Sequence, residues 1–239
     1  MNLSFADKVI LIAGGTGGLG RPVSLAFLKE KAKVVVSYRN PEEFSALQSA
    51  AGAHASSLQG QPVDVTDEAA VNQFVDKILA EHGRLDAMVN TVGGYAGGTK
   101  LWELETKVFD MMLALNLRAG YALSRAAIVP MLWQKHGAIV NVAAKAALDH
   151  GAGAAAYAAS KAAALSMIDS LAADVKGTGV RVNSILPSII DTAANRKAMP
   201  NAEYAEWPKP EDIAHVILFL CSDQARVIHG AAIPVYGDS

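Results

Sequence analysis

Cysteine is almost absent from this chain of 239 residues. Cys221 stands alone, which excludes an internal disulfide and suits a reducing compartment. Aromatic residues are scarce too, at 6% against 51% hydrophobic overall, so the core has to be built from Ala, Val, Ile and Leu, as in buried parallel strands. Neither sign of charge dominates: 21 basic and 23 acidic residues leave a net charge of −2 and an isoelectric point near 6.3. Without a basic stripe, nucleic acid is not an expected partner. No apolar run approaches the ~20 residues of a membrane helix. The opening residues, from Met1 to Gly15, lack the basic start and long apolar stretch of a secretory leader. A cytoplasmic protein without a membrane partner is therefore expected. His54, His82 and His136 sit in polar, turn-like contexts without metal-ligand partners, so no metal site is expected.

What the chain does contain is an alternation of short β-branched runs and longer helical segments. Lys8–Ala13, Lys33–Val36, Arg84–Asn90, Gly137–Val142, Val180–Leu186 and Ala231–Tyr236 read as strands, and Gln61–Asp67 as the end of another. Between them, an amphipathic segment reaching about Lys31, then Asp67–Glu81 with Thr66 or Asp67 as its cap, Thr106–Trp133 and Pro210–Ser222 read as helices. The long third one has a joint expected near Arg118–Gly120. With no repeat, linker or low-complexity tract, the pattern predicts one α/β domain over residues 1–239. Its expected form is a Rossmann-type, doubly wound parallel sheet of about seven strands with helices on both faces. Trp102, Trp133, Trp207, Met111 and Met112 are expected to be packing residues. Ser188–Trp207 lacks a strong period and is expected to act as a mobile lid over a substrate.

The first strand runs straight into Gly14-Gly15-Thr16-Gly17-Gly18-Leu19-Gly20, then Pro22 in the first turn of a helix. A strand, glycine turn and helix N-terminus present backbone N–H groups and a positive helix end to a pyrophosphate. The second strand ends in Ser37-Tyr38-Arg39-Asn40 with no acid before Glu42. An acid there reads the ribose of NAD, whereas an Arg accommodates the 2′-phosphate of NADP. NADP(H) is therefore favoured, with NAD(H) as the alternative. Arg39 could instead pair with Glu42 or Glu43. Asp64, at a strand tip beside Val65, suits the adenine amino group. Thr91-Val92-Gly93-Gly94-Tyr95-Ala96-Gly97-Gly98 follows the strand ending at Asn90 and should open on the same crevice.

The chemistry is expected in Asn141–Lys161, NVAAKAALDHGAGAAAYAASK. Tyr157 and Lys161 are one helical turn apart, so phenol and ammonium share a face. A Tyr near its ordinary pKa of ~10 is a poor acid–base group at neutral pH, and a neighbouring cation should draw it down. Taken alone, the pair could equally be a surface Tyr and Lys on an Ala-rich helix.

With Gly14/Gly18/Gly20, Asp64, Asn90, Asn116 in Leu-Asn-Leu, Tyr157-x-x-x-Lys161 and Pro187 followed by Asp191-Thr192, the chain resembles the short-chain dehydrogenase/reductase family over almost its whole length. The resemblance implies an NAD(P)H-dependent oxidoreductase with Tyr157 as acid–base residue. Lys161 would bind the nicotinamide ribose and lower the Tyr pKa, and Asn116 would hold a water in the proton relay. Val92, Gly93, Pro187, Ile190 and Thr192, with Asn90 and the first-half residues above, would hold the cofactor. Family members are usually homodimers or homotetramers, and the small-residue helix Ala158–Ala173 could pack on a symmetry mate. Most members carry a Ser thirteen residues before the Tyr, where it hydrogen-bonds the substrate carbonyl. Here that position is Ala144.

Within the family the chain is similar to dihydropteridine reductases. The resemblance rests on Ala144-Lys145-Ala146-Ala147-Leu148-Asp149, on Gly93 to Gly98, and on Leu186-Pro187 through Asp191-Thr192 to Asn195-Arg196-Lys197 and Met199-Pro200. It implies reduction of a quinonoid dihydropterin, with Tyr157 as proton donor and Tyr95 stacked on the ring. Ala144, Lys145, Tyr95 and His150 are then the substrate-side residues. The animal members carry an acidic residue for NADH where Tyr38-Arg39 points to NADP(H). The alternatives are a generic carbonyl or 3-oxoacyl reductase, in which Lys145 or a backbone N–H replaces the Ser, or a cofactor-binding protein without catalysis.

Overall fold

The computed structural model describes residues 3–238. Five apolar residues, Val9–Ala13, form strand β1, and all five are buried. Because successive strand residues point to opposite faces, burial of all five requires a layer on each side of the sheet. Ile10 and Ile12 point into one layer with Val23, Phe27, Ile213 and Ile217. Val9, Leu11 and Ala13 point into the other with Phe74, Ile78, Leu123, Met131 and Ile168.

The first layer holds helices α1 (Gly20–Lys29) and α8 (Pro210–Cys221); the second holds α3 (Glu68–His82), α5 (Ala119–Gln134) and α6 (Ala155–Asp174). Strands β2 (Lys33–Tyr38), β3 (Leu58–Pro62), β4 (Ala87–Asn90), β5 (Gly137–Val142), β6 (Val180–Pro187) and β7 (Ala232–Val235) complete one seven-stranded sheet. All its pairs are parallel, in the order β3-β2-β1-β4-β5-β6-β7. The chain grows one way from β1 and then returns to grow the other way from β4. A crevice therefore opens beyond the carboxyl ends of β1 and β4, where helices diverge to opposite faces. The doubly wound sheet of seven strands is the fold expected from the sequence.

Several local expectations need correction. Helix α2 (Pro41–Ala51) was not anticipated, although Asn40 caps it through Glu42 N at 2.9 Å and Pro41 opens its first turn. Strand β3 ends at Pro62 instead of running towards Asp67, because Asp64 Oδ1 accepts from Thr66 N and Thr66 Oγ1 and turns the chain. It is also an edge strand of mostly polar residues, so no apolar run marks it. Of the two capping candidates for α3, the structure uses Asp67. The long helical stretch is broken earlier than expected: α4 (Thr106–Leu113) passes into one wide π turn over Ala114–Arg118 before α5. Trp207 and Met112 are buried, as packing residues should be, but Trp102 and Trp133 are 78% and 85% exposed and Met111 also lies outside.

Candidate active site

The glycine turn is closed by contacts that only glycine permits. Gly14 has φ +72°, and a Cβ at Gly20 would lie 2.0 Å from Gly14 O. Ser37 props the turn from β2: its hydroxyl accepts from Gly14 N at 3.0 Å and its carbonyl from Gly15 N at 3.2 Å. Ser37 is buried and engaged with the turn by both its hydroxyl and its carbonyl. No side chain caps α1 at Leu19 and its first turn carries no acid. A bare helix start over a glycine cradle fits a pyrophosphate. Thr192 closes the far wall, its methyl within 2.9 Å of where a Gly18 Cβ would stand.

The adenosine end is less simple than the sequence suggests. Arg39 is exposed and Tyr38 stacks flat on Phe44, with ring centroids 4.7 Å apart. Glu43 does not pair with Arg39; its Oε2 accepts from Thr16 Oγ1 at 2.9 Å. A carboxylate thus lies on the glycine turn, a feature that sequence reasoning missed because α2 was missed. The Asp64 carboxyl is held below its ordinary range, first by its hydrogen bonds to Thr66 and more weakly by the Arg39 charge. Val65, the next residue, is buried.

At the switch point Asn90 is buried. Its amide donates to Asn141 Oδ1 at 2.9 Å and its oxygen accepts from Val92 N at 3.1 Å, which fixes the loop after β4 to β5. The loop then passes Asn116. The Asn116 oxygen accepts from Gly94 N at 2.9 Å, and its amide donates to Gly94 O and to Ser160 Oγ, each at 3.0 Å. Ser160 Oγ in turn donates to Tyr157 O at 2.8 Å. The Asn116 side-chain amide thus clamps the loop at Gly94 onto α6. Ser160 and Asn141 were not singled out in the sequence. Ser160 was open to detection, since it lies three residues after Tyr157 on the same helical face.

A Cβ at Gly93 would fall 2.9 Å from Asn116 Oδ1 and 3.1 Å from Lys161 Nζ. Three separate segments therefore meet at one point, and bare backbone at 93 is what lets them. Lys161 is buried and donates to Val142 O at 3.0 Å. Burial lowers its pKa to about 8 and raises that of Tyr157 to about 12, with nearby Tyr95 adding to the latter. The sequence had the ammonium drawing the phenol down. In the fold, the ammonium is directed at the end of β5, and desolvation governs Tyr157.

Of the substrate-side residues, Tyr95 meets Tyr157 edge to face, with centroids 5.0 Å apart at 75°. Ala144 is buried in extended backbone at the end of β5. Lys145 is not aimed as a serine substitute would be: its ammonium sits over the Tyr236 ring at 5.1 Å. His150 is exposed. Pro187 ends β6, Ile190 is half-buried, and Thr192 caps the short helix α7 (Ala193–Ala198) through Asn195 N at 3.2 Å. Segment 188–207 is pinned at one end. Asp191, its side chain 3% exposed, pairs with Arg196 and Lys209 and is held far below the usual carboxylate range by them.

This geometry is matched by known proteins. The model of the short chain dehydrogenase family covers residues 8–203. The chain belongs to the short-chain dehydrogenase family. Among similar proteins, a 3-oxoacyl-[acyl-carrier-protein] reductase of Thermotoga maritima is 29% identical over 238 residues, covering 96% of each chain. D-threitol dehydrogenase of Mycolicibacterium smegmatis is 34% identical over 245 residues, covering 96% of this chain and 92% of its own. The structure of ElxO with NADP bound superposes with a TM-score of 0.91 at 28% identity, over 96% of this chain and 97% of that one. The protein is thus an oxidoreductase of the nicotinamide-dependent type. Among the described residues no helix is long and apolar enough to cross a membrane.

Proposed function

We propose that this protein is an NADP(H)-preferring reductase of carbonyl compounds, interconverting a ketone or 3-oxoacyl group and the secondary alcohol. The observation that carries this reading is the meeting of Gly93 and Asn116 with Lys161, on the helix that bears Tyr157. A reduced nicotinamide, when bound, supplies a hydride. The chain's own residues manage the proton. Tyr157, half-buried and raised to about 12, is fully protonated at neutral pH and stands ready as an acid towards a developing alkoxide. Asn116 and Ser160 hold its helix against the loop, so the phenol stays in register with the floor of the crevice. Support for a ketone/alcohol couple comes from the similar 3-oxoacyl reductase and threitol dehydrogenase. Support for NADP(H) comes from Arg39 and from the NADP bound to ElxO.

Reduction of a quinonoid dihydropterin is a second reading, favoured by Ala144. An electron-poor ring that takes a hydride forms no tetrahedral alkoxide and has no need of a serine. No pteridine enzyme is among the similar proteins named above, and the carbonyl reading is the better supported. The test is NADPH oxidation with acetoacetyl thioesters, simple ketones and quinonoid dihydropterin, with Tyr157→Phe as control. Turnover of a ketone or thioester, lost in the control while NADPH binding is kept, supports the carbonyl reading. Turnover of the pterin alone favours the second reading, and binding without any turnover refutes both.

A further inference from the structure

A carbonyl reductase needs a hydrogen-bond donor where negative charge gathers on the substrate oxygen, and Ala144 offers only a methyl group there. Removing such a donor costs roughly 10²–10³ in rate when nothing replaces it. Lys145 is turned to Tyr236 and His150 is exposed, so neither fills the gap. Tyr95 is placed differently. It rises from the loop after β4 and sets its ring edge to face on Tyr157, leaving 70% of itself open. Its hydroxyl lies over Gly97, where a Cβ would approach it to 2.1 Å. No residue of the described chain accepts a hydrogen bond from it. A free phenol O–H is thus packed beside the catalytic phenol, in the loop that Asn116 clamps to α6.

We propose that Tyr95 is a second catalytic phenol, donating a hydrogen bond to the substrate carbonyl oxygen in place of the absent serine, with Gly97 as the seat that admits it. The inference rests on the carbonyl-reductase reading. In the step, the carbonyl carbon gains a hydride from the reduced cofactor and the C=O π pair moves onto oxygen. That oxygen takes the proton of Tyr157, which is later reprotonated from water, while Tyr95 keeps its own proton throughout. Tyr95 also adds to the upward shift of Tyr157, as expected of two neighbouring phenols.

The experiment compares wild type, Tyr95→Phe, Gly97→Ala and the double variant Tyr95→Phe/Ala144→Ser on the ketone or thioester that the wild type reduces best. Tyr95→Phe should lower kcat about 10²-fold with KM and NADPH affinity little changed. Gly97→Ala, which drives the ring off its seat, should reproduce the loss, and the added serine should restore most of it. As a readout independent of turnover, ultraviolet titration of Tyr157 should move to lower pH in Tyr95→Phe. Full rate in either single variant overturns the proposal. So does a loss confined to KM that the serine does not rescue, which would make Tyr95 a pocket wall. A wild type inert to every carbonyl compound overturns the reductase reading and this inference with it. Failure of the Tyr95 variants alone leaves the reductase reading standing.

Discussion

Replacing Lys161 by Met should change the pH dependence of stability in a way that no packing effect can mimic. Burial lowers the Lys161 pKa from 10.5 to about 8. At 1.36 kcal/mol per unit, the folded state carries roughly 3 kcal/mol of penalty for holding this ammonium at neutral pH. The variant removes that penalty but leaves Val142 O without its donor at 3.0 Å, a loss of ~1–3 kcal/mol. The two effects nearly offset near pH 7, so stability at one pH decides little.

The slope does decide. Between about 8 and 10.5, an unfolded chain keeps a proton on Lys161 that the folded chain has released, so wild-type stability rises with pH. From about pH 7 to about pH 9.5 the penalty falls by ~2 kcal/mol, a gain that Lys161→Met cannot show. Tyr157 and Cys221, both pushed up to about 12 by burial, act the other way at the top of this range, but they are common to both proteins and cancel in the comparison. Urea denaturation of the two proteins at both pH values measures the difference. Parallel behaviour, within a few tenths of a kcal/mol, would refute a buried, charge-strained Lys161.

The remaining predictions concern the cofactor end and the segment beyond β6. Arg39→Ala should weaken NADPH by tenfold or more and NADH hardly at all, since only NADPH carries the 2′-phosphate. Glu43→Gln should strengthen NADPH binding several-fold by removing a carboxylate from the turn at Thr16. Fluorescence titration of both cofactors checks the pair, and equal effects on NADH and NADPH would count against the assignment. Asp191→Ala should release segment 188–207, seen as faster amide hydrogen exchange at residues 191–199, with exchange in β1 unchanged. The same loosening should occur in wild type only at strongly acid pH, because paired Asp191 stays ionised well below the usual carboxylate range. Unchanged exchange in Asp191→Ala would show that the ion cluster does not pin the segment.

Strands β1, β4, β5 and β6 were legible because nearly all their residues are buried on both faces, so their runs are mostly apolar and β-branched and need no periodicity to find, even where Asn90, Asn141, Asn183 and Ser184 interrupt them. Edge strand β3 and helix α2 were not. Only Leu58 of β3 is buried, and α2 buries Leu47 and Ala51 alone, so neither left a clear hydrophobic signature. Trp102 and Trp133 misled for a related reason: residue type sets a preference for burial, but position on the helix or loop decides it.

By itself, the sequence determined the doubly wound sheet, the glycine turn over a bare helix start, and the single turn that sets Tyr157 and Lys161 on one face. All of these are local patterns, set by backbone sterics and side-chain period. Only the tertiary structure decided the protonation landscape and the partners. It turned Lys161 to Val142 O, raised Tyr157 by burial, committed Asn116 to Gly94 and Ser160, and laid Tyr95 beside Tyr157. Desolvation and hydrogen bonding between residues 19 to 77 positions apart depend on which surfaces meet, and no spacing along the chain encodes that.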